Sequence, residues 1–151
     1  MKNQTQNLLE SWIESRTRLD NQLQNLSPDD LKKKLFPGPN SVGFLMRHIG
    51  DVELLFAKNV FGAPHLKVSA KTVIDKYDTG DWTNLEELKL YVASSFDALK
   101  TIVEQQSDAD WQTIIETKEF GAKTKAQAFG RIVSHTAYHA GQMAMIVKYG
   151  S

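Results

Sequence analysis

Four stretches of this 151-residue chain place apolar side chains three, four or seven positions apart, and each is several helical turns long. In the first, Leu8, Leu9, Trp12, Leu19, Leu23 and Leu26 mark one face between Gln4 and Leu26. In the second, after Asn40 or Ser41 as N-cap, the face is Phe44, Leu45, Ile49, Val52, Leu55 and Phe56. The third starts at Thr83 or Asn84 and carries Leu85, Leu88, Val92, Phe96, Leu99 and Val103; the fourth is TKAQAFGRIVSHTAYHAGQMAMIVKY. Stripes of this period bury themselves against other helices, so the pattern predicts an all-α four-helix bundle. No internal repeat or low-complexity run competes with it, and the length fits one domain over 1–151, enough to bury roughly 70% of the unfolded chain's surface.

The breaks between stripes are equally readable. SPDD at 27–30 combines a serine N-cap, proline at the first helical position and an acidic third residue, predicting a short extra helix through LKKKL. Phe36-Pro37-Gly38-Pro39 ends it, because proline lacks a donor and restricts the residue before it. Residues 62–82 read as a long connection with some local order, and SDADW at 107–111 as another capped turn. The β-branched residues around a glycine in TIIETKEFGAKTK predict a small hairpin or extended connection. Gly130 and Gly141, inside the last helix, predict close approach of a neighbouring backbone.

Composition narrows the function. Eighteen Lys and Arg offset eighteen Asp and Glu, which removes a strong basic field and with it the expectation of a nucleic-acid partner. There is no cysteine, hence no disulfide, no thiolate ligand and no cysteine nucleophile, so any thiol chemistry needs a thiol from outside. The N-terminal MKNQTQNLLESW lacks the apolar run of a signal peptide and no segment resembles a membrane span. The expectation is a cytoplasmic protein without a membrane partner.

Two of the four histidines, His135 and His139, lie four apart in the last helix. That spacing stacks their Cβ atoms about 6 Å apart, close enough for both imidazoles to reach one ion at about 2.0–2.1 Å. A pair lacks the usual third ligand, and two surface or hydrogen-bonded histidines fit the spacing as well. His48, mid-helix between Phe44, Leu45 and Val52, supplies a candidate third ligand or a core histidine bonded to a carbonyl or carboxylate. Three neutral imidazoles would leave a divalent ion open positions for chemistry. Thr136 stands where the glutamate of an H-E-x-x-H protease would be, which excludes that class.

His48 in FLMRHIGDVELLF, followed far downstream by His135, His139, Gly141 and Gln142 in HTAYHAGQ, resembles the DinB/YfiT superfamily over nearly the whole chain. The resemblance implies an up-down-down-up bundle, frequently dimeric, with His48, His135 and His139 holding nickel, zinc or a similar divalent ion. It further implies a small-molecule substrate, since members include metal-dependent transferases that activate low-molecular-weight thiols; many others have no known activity. The chain departs from many members in placing Tyr138 before the ligand and Ala140 where they carry arginine.

The leading functional expectation is therefore a metal-dependent thiol transferase, with a hydrolase using metal-bound water or a non-catalytic, stress-related binding module as alternatives. Arg131 and Gln142 are further candidates for orienting a ligand or substrate and Tyr138 for supplying a proton, although surface exposure fits Arg131, helix contact fits Gln142 and packing fits Tyr138. Asp51, three residues after His48, could hydrogen-bond a ligand but reads rather as a solvated helix charge, His65 as ordinary surface, and Lys32–Lys34 as a solvated helix end.

Overall fold

The computed structural model describes residues 1–151. Helix α1 spans Gln4–Asn25, α2 Val42–Asn59, α3 Lys71–Asp75, α4 Leu85–Glu104 and α5 Lys125–Tyr149. Strands β1 (Ile114–Thr117) and β2 (Gly121–Thr124) form one antiparallel hairpin just before α5. Each long helix starts on a polar cap that accepts from an otherwise unpaired N–H. Asn3 and Gln6 cap α1 reciprocally, Ser41 accepts from Phe44 N, Asn84 from Glu87 N, and Thr124 and Gln127 repeat the reciprocal box on α5. The predicted short helix is a 3-10 turn at Pro28–Lys32, and SDADW supplies a second at Asp110–Gln112.

Cross-helix contacts fix the directions. Thr5 donates to Gln106 O, Trp12 meets Phe96 and Arg16 donates to Val92 O, so α4 numbers fall as α1 numbers rise and the pair is antiparallel. Along α2 and into α4, Gly43 meets Trp82, Gly50 meets Tyr91, and Glu53 accepts from Ser95; both numbers rise together. These helices are parallel. Trp12 packs on Phe129 near the start of α5 while Leu19 and Leu26 cluster with Met143 and Ile146 near its end, making α1 and α5 parallel too. The bundle is thus up-down-down-up. A parallel α2–α4 pair cannot be joined by a tight turn, and residues 60–84 cross back along the bundle, folding α3 on the way.

The core divides into two apolar clusters, one around Leu19, Leu45, Ile49 and Met143, the other around Trp12, Phe61, Trp111 and Phe129. Between them, one turn apart on each helix, lie buried Arg16, Glu53 and Ser95. Arg16 Nη1 pairs closely with Glu53, and Ser95 Oγ donates to the other Glu53 oxygen at 2.9 Å. Burial pushes the Glu53 carboxyl up while the Arg16 guanidinium pulls it back, so an apolar bundle carries a buried ion pair with most of its hydrogen bonds filled.

Two glycine expectations are corrected. A Cβ on Gly130 or Gly141 would meet nothing within 4 Å, so neither marks a close backbone approach. The close approaches are on α2: a Cβ at Gly43 would sit 1.9 Å from Trp82 O, and one at Gly50 would sit 2.5 Å from the Tyr91 ring. No helix is long and apolar enough to cross a membrane.

Candidate metal centre

His48 points from α2 toward α5, where His135 and His139 occupy successive turns, and the three half-buried rings converge. His135 Nε2 lies 3.2 Å from His48 Nε2 and 3.1 Å from His139 Nε2. The other ring nitrogens decide which of these atoms carry protons. Thr72 Oγ1 donates to Asp51 Oδ2 at 2.7 Å, so its lone pair faces His48 Nδ1 at 3.1 Å and that nitrogen must be the donor. Gln142 Oε1, at 2.6 Å from His139 Nδ1, accepts in the same way. Both rings consequently present bare Nε2 lone pairs to His135.

His135 can carry one proton on Nε2 and direct it at only one of its two neighbours. A cation would resolve this: His48, His135 and His139 would each turn a ring nitrogen to one ion, and neutral imidazoles are ordinary ligands of divalent nickel and zinc, so the donor set fits a divalent metal. Burial pushes the His135 imidazole down to about 3, with the charges of His139, His48 and Arg131 adding to it. His48 is lowered by burial and His139, against Asp51 and Glu119; His139 is lowered by burial, against Gln142. All three favour the neutral, ligating form.

Asp51, expected to be a solvated charge, is fully buried, and this is the main correction at the site. It accepts from Arg47 Nε at 2.8 Å, from Thr72 N at 3.0 Å, from Thr72 Oγ1, and from the Tyr91 hydroxyl in a short hydrogen bond. Arg47 also donates to Ser69 O and stacks over Tyr91 and Trp82. Tyr91 is pushed up by burial and by Asp51, which keeps it a donor. Asp51 therefore ties the α2–α4 connection to α2 and holds Thr72 against His48.

The remaining candidates separate clearly. Gln142 contacts a ring of the cluster directly. Tyr138 is 65% exposed beside His139, so it is not a packed aromatic. Arg131 is partly exposed and pairs with Glu119 Oε1 at 3.0 Å over the Phe120 ring. His65 is exposed in the connection and outside the cluster. Sequence reasoning missed Thr72, Arg47, Tyr91 and Glu119; only the i,i+4 spacing of Arg47 and Asp51 offered a local signal.

Two cavities open on either side of Tyr138. One, of about 300 Å³, is bounded by Phe56, Glu119, Arg131, Ser134 and His135. The other, of about 480 Å³, lies between α5 and the Leu35–Asn40 segment and includes Leu45, Gly141, Gln142 and Met145.

A family model described as the DinB superfamily matches residues 11–143. Among solved structures, the fold is similar to a DinB-like protein from Bacillus cereus ATCC 10987, at 19% identity and TM-score 0.76, over 98% of this chain and 93% of that one. It is similar to a conserved protein from Enterococcus faecalis, at 17% identity and TM-score 0.69, over 99% and 98%. A third likeness is the colibactin self-resistance protein ClbS in complex with double-stranded DNA, at 14% identity and TM-score 0.67, over 98% of each chain. No curated protein matches. The ClbS complex overturns the exclusion of nucleic acid drawn from charge balance. Net charge is a sum over the chain, whereas phosphate contacts depend on where individual basic groups stand, so zero net charge excludes nothing.

Proposed function

The chain belongs to the DinB superfamily, and from that premise we propose that it is a metal-dependent transferase acting on a low-molecular-weight thiol. The observation that carries this reading is the convergence of three Nε2 atoms, two of them bare because Thr72 and Gln142 hold the opposite ring nitrogens. When bound, a nickel or zinc ion supplies a lowered pKa to a coordinated thiol, making it a thiolate nucleophile at neutral pH.

The protein's own groups then have distinct tasks. His48, fixed from the α2–α4 connection by Thr72, and His139, fixed within its own helix by Gln142, set the two outer nitrogens. His135 fills the gap between them, and its depressed pKa keeps it neutral rather than imidazolium at neutral pH. The chain contains no cysteine, so the reacting sulfur comes with the substrate and the protein cannot consume itself by forming a disulfide.

Elemental analysis of untagged protein grown with nickel and zinc available is the first test, with about one metal per chain expected and His135→Ala and His139→Ala expected to lose it. Thiol consumption by the metal-loaded protein is then compared with ester and amide hydrolysis. Thiol loss in the presence of an electrophile supports the transferase. Hydrolysis without thiol loss assigns a hydrolase instead, and silence in both assigns a binding module.

A further inference from the structure

The cavity beside His135 contains a guanidinium whose hydrogen bonds are incompletely filled. Arg131 Nη2 donates to Glu119 Oε1 at 3.0 Å, while Nε of the same group is buried with no hydrogen-bond partner. Nε–H and the neighbouring Nη2–H form one edge of the planar fork, the edge that grips both oxygens of a carboxylate side by side. Glu119 fills half of that edge and leaves a buried donor without an acceptor, which is costly.

The two halves of the pair are held differently. Arg131 rises from α5 with its guanidinium carbon 5.2 Å from the centre of the Phe120 ring, and Phe120 packs in turn on Phe56 with centroids 5.9 Å apart, so the cation is braced on an aromatic face. Glu119 belongs to the turn between β1 and β2, its side chain is 61% exposed, and Arg131 is its one hydrogen-bonding partner. The carboxylate is therefore the movable half. Around the pair, the cavity of about 300 Å³ is lined by apolar Val52, Phe56 and Ile132. Ser134 gives its hydroxyl hydrogen to Arg131 O at 3.0 Å, which leaves the guanidinium to recognise an anion.

We propose that this cavity is a binding site for a small apolar monocarboxylate, in which Arg131 takes the carboxylate and Glu119 is the protein's own stand-in for it when no ligand is bound. A ligand that displaces Glu119 meets both Nε and Nη2 of the fork and lays its apolar body against Val52, Phe56 and Ile132, while Glu119 turns out from the hairpin into solvent. The exchange makes and breaks no covalent bond. It requires neither a thiol nor turnover, so it stands apart from the transferase reading.

Isovalerate is the probe, titrated calorimetrically into the parent, Glu119→Gln, Arg131→Gln and the doubly substituted protein, each with its metal content measured. Neutralising the internal competitor is expected to tighten isovalerate binding about fivefold or more in Glu119→Gln. Arg131→Gln is expected to weaken it about fivefold or more, and in the double variant the gain from Glu119→Gln is expected to vanish. Metal content is expected to be equal throughout, because neither side chain is a ligand.

Unchanged or weaker affinity in Glu119→Gln, or no binding by either the parent or that variant at millimolar isovalerate, overturns the proposal. A gain that persists without Arg131 overturns it too, because the carboxylate then sits at the histidines. Inorganic phosphate gaining as much as isovalerate reduces the effect to net charge and removes the apolar site. Calorimetry keeps all of this separate from thiol consumption. A protein that consumes no thiol but is tightened by Glu119→Gln loses the transferase reading and keeps the site, whereas a thiol-consuming protein indifferent to both substitutions loses the site alone.

Discussion

Gln142 accepts a 2.6 Å hydrogen bond from His139 Nδ1, one turn further along the same helix, and so directs His139 Nε2 at the cluster. Removing such an outer partner typically lowers metal affinity about 10–100-fold. Gln142→Leu is expected to fall in that range in a competition titration against a chromophoric chelator. Gln142→Glu, which keeps an acceptor facing Nδ1, is expected to stay close to the parent. Equal losses in both would show that the amide does not orient the ring.

Thr72 and Asp51 act on His48 from the other side. Thr72→Val keeps the shape but removes both the acceptor for Nδ1 and the donor to Asp51, so metal affinity should again fall about 10–100-fold. Asp51→Ala leaves Arg47 and Tyr91 without their carboxylate in a buried setting, and should destabilise the fold by about 3–5 kcal/mol in urea unfolding. A loss below about 1 kcal/mol would contradict the role of Asp51 as a tie between α2 and the connection.

Acid should weaken the metal-free protein through the same histidines. Their pKa values are depressed on folding, so below about 6.5 the unfolded chain binds protons that the folded chain refuses. Stability present above the unfolded value is therefore lost as pH falls from about 6.5 toward the folded value of about 3 at His135. Thermal melts of apoprotein at several pH values should decline over this window, and His135→Asn should flatten the decline. A metal-loaded sample should release its ion on acidification.

Two glycine substitutions should move stability in opposite directions. Gly130→Ala, exposed within α5 and free of neighbours, should stabilise by about 0.8–1 kcal/mol. Gly50→Ala drives a methyl group into the Tyr91 ring beside Asp51, and should destabilise by about 1–3 kcal/mol. Melting temperatures of the two variants check the pair, and matching signs would contradict the packing of α2 on α4.

Much of this was legible from local pattern. Apolar spacing delineates the four long helices because each buries one face, and caps such as Asn3, Ser41, Asn84 and Thr124 act within three residues of their partners. The approach of His48 to His135 and His139 was inferred from residue type and family likeness. What stayed hidden depends on distant partners. Asp51 reads as a surface charge because Thr72 and Tyr91 lie 21 and 40 residues away, and nothing local announces either. The expectation at Gly130 and Gly141 fails because a helical glycine looks alike in sequence whether its missing side chain faces a backbone or open space. Gly43 and Gly50, the ones that matter for packing, are crowded by Trp82 and Tyr91, partners about forty residues away that leave no local mark.

The parallel course of α2 and α4 obliges residues 60–84 to travel back along the bundle, and Thr72 is delivered to His48 from that return path. A segment that would ordinarily tolerate insertions and deletions is thereby calibrated in length between Phe61, fastened to Gln106, and Thr72, fastened to Asp51. The ten residues between those two anchors are the measure that sets Thr72 opposite His48, so the spacing of a loop fixes which nitrogen of a buried ring carries its proton.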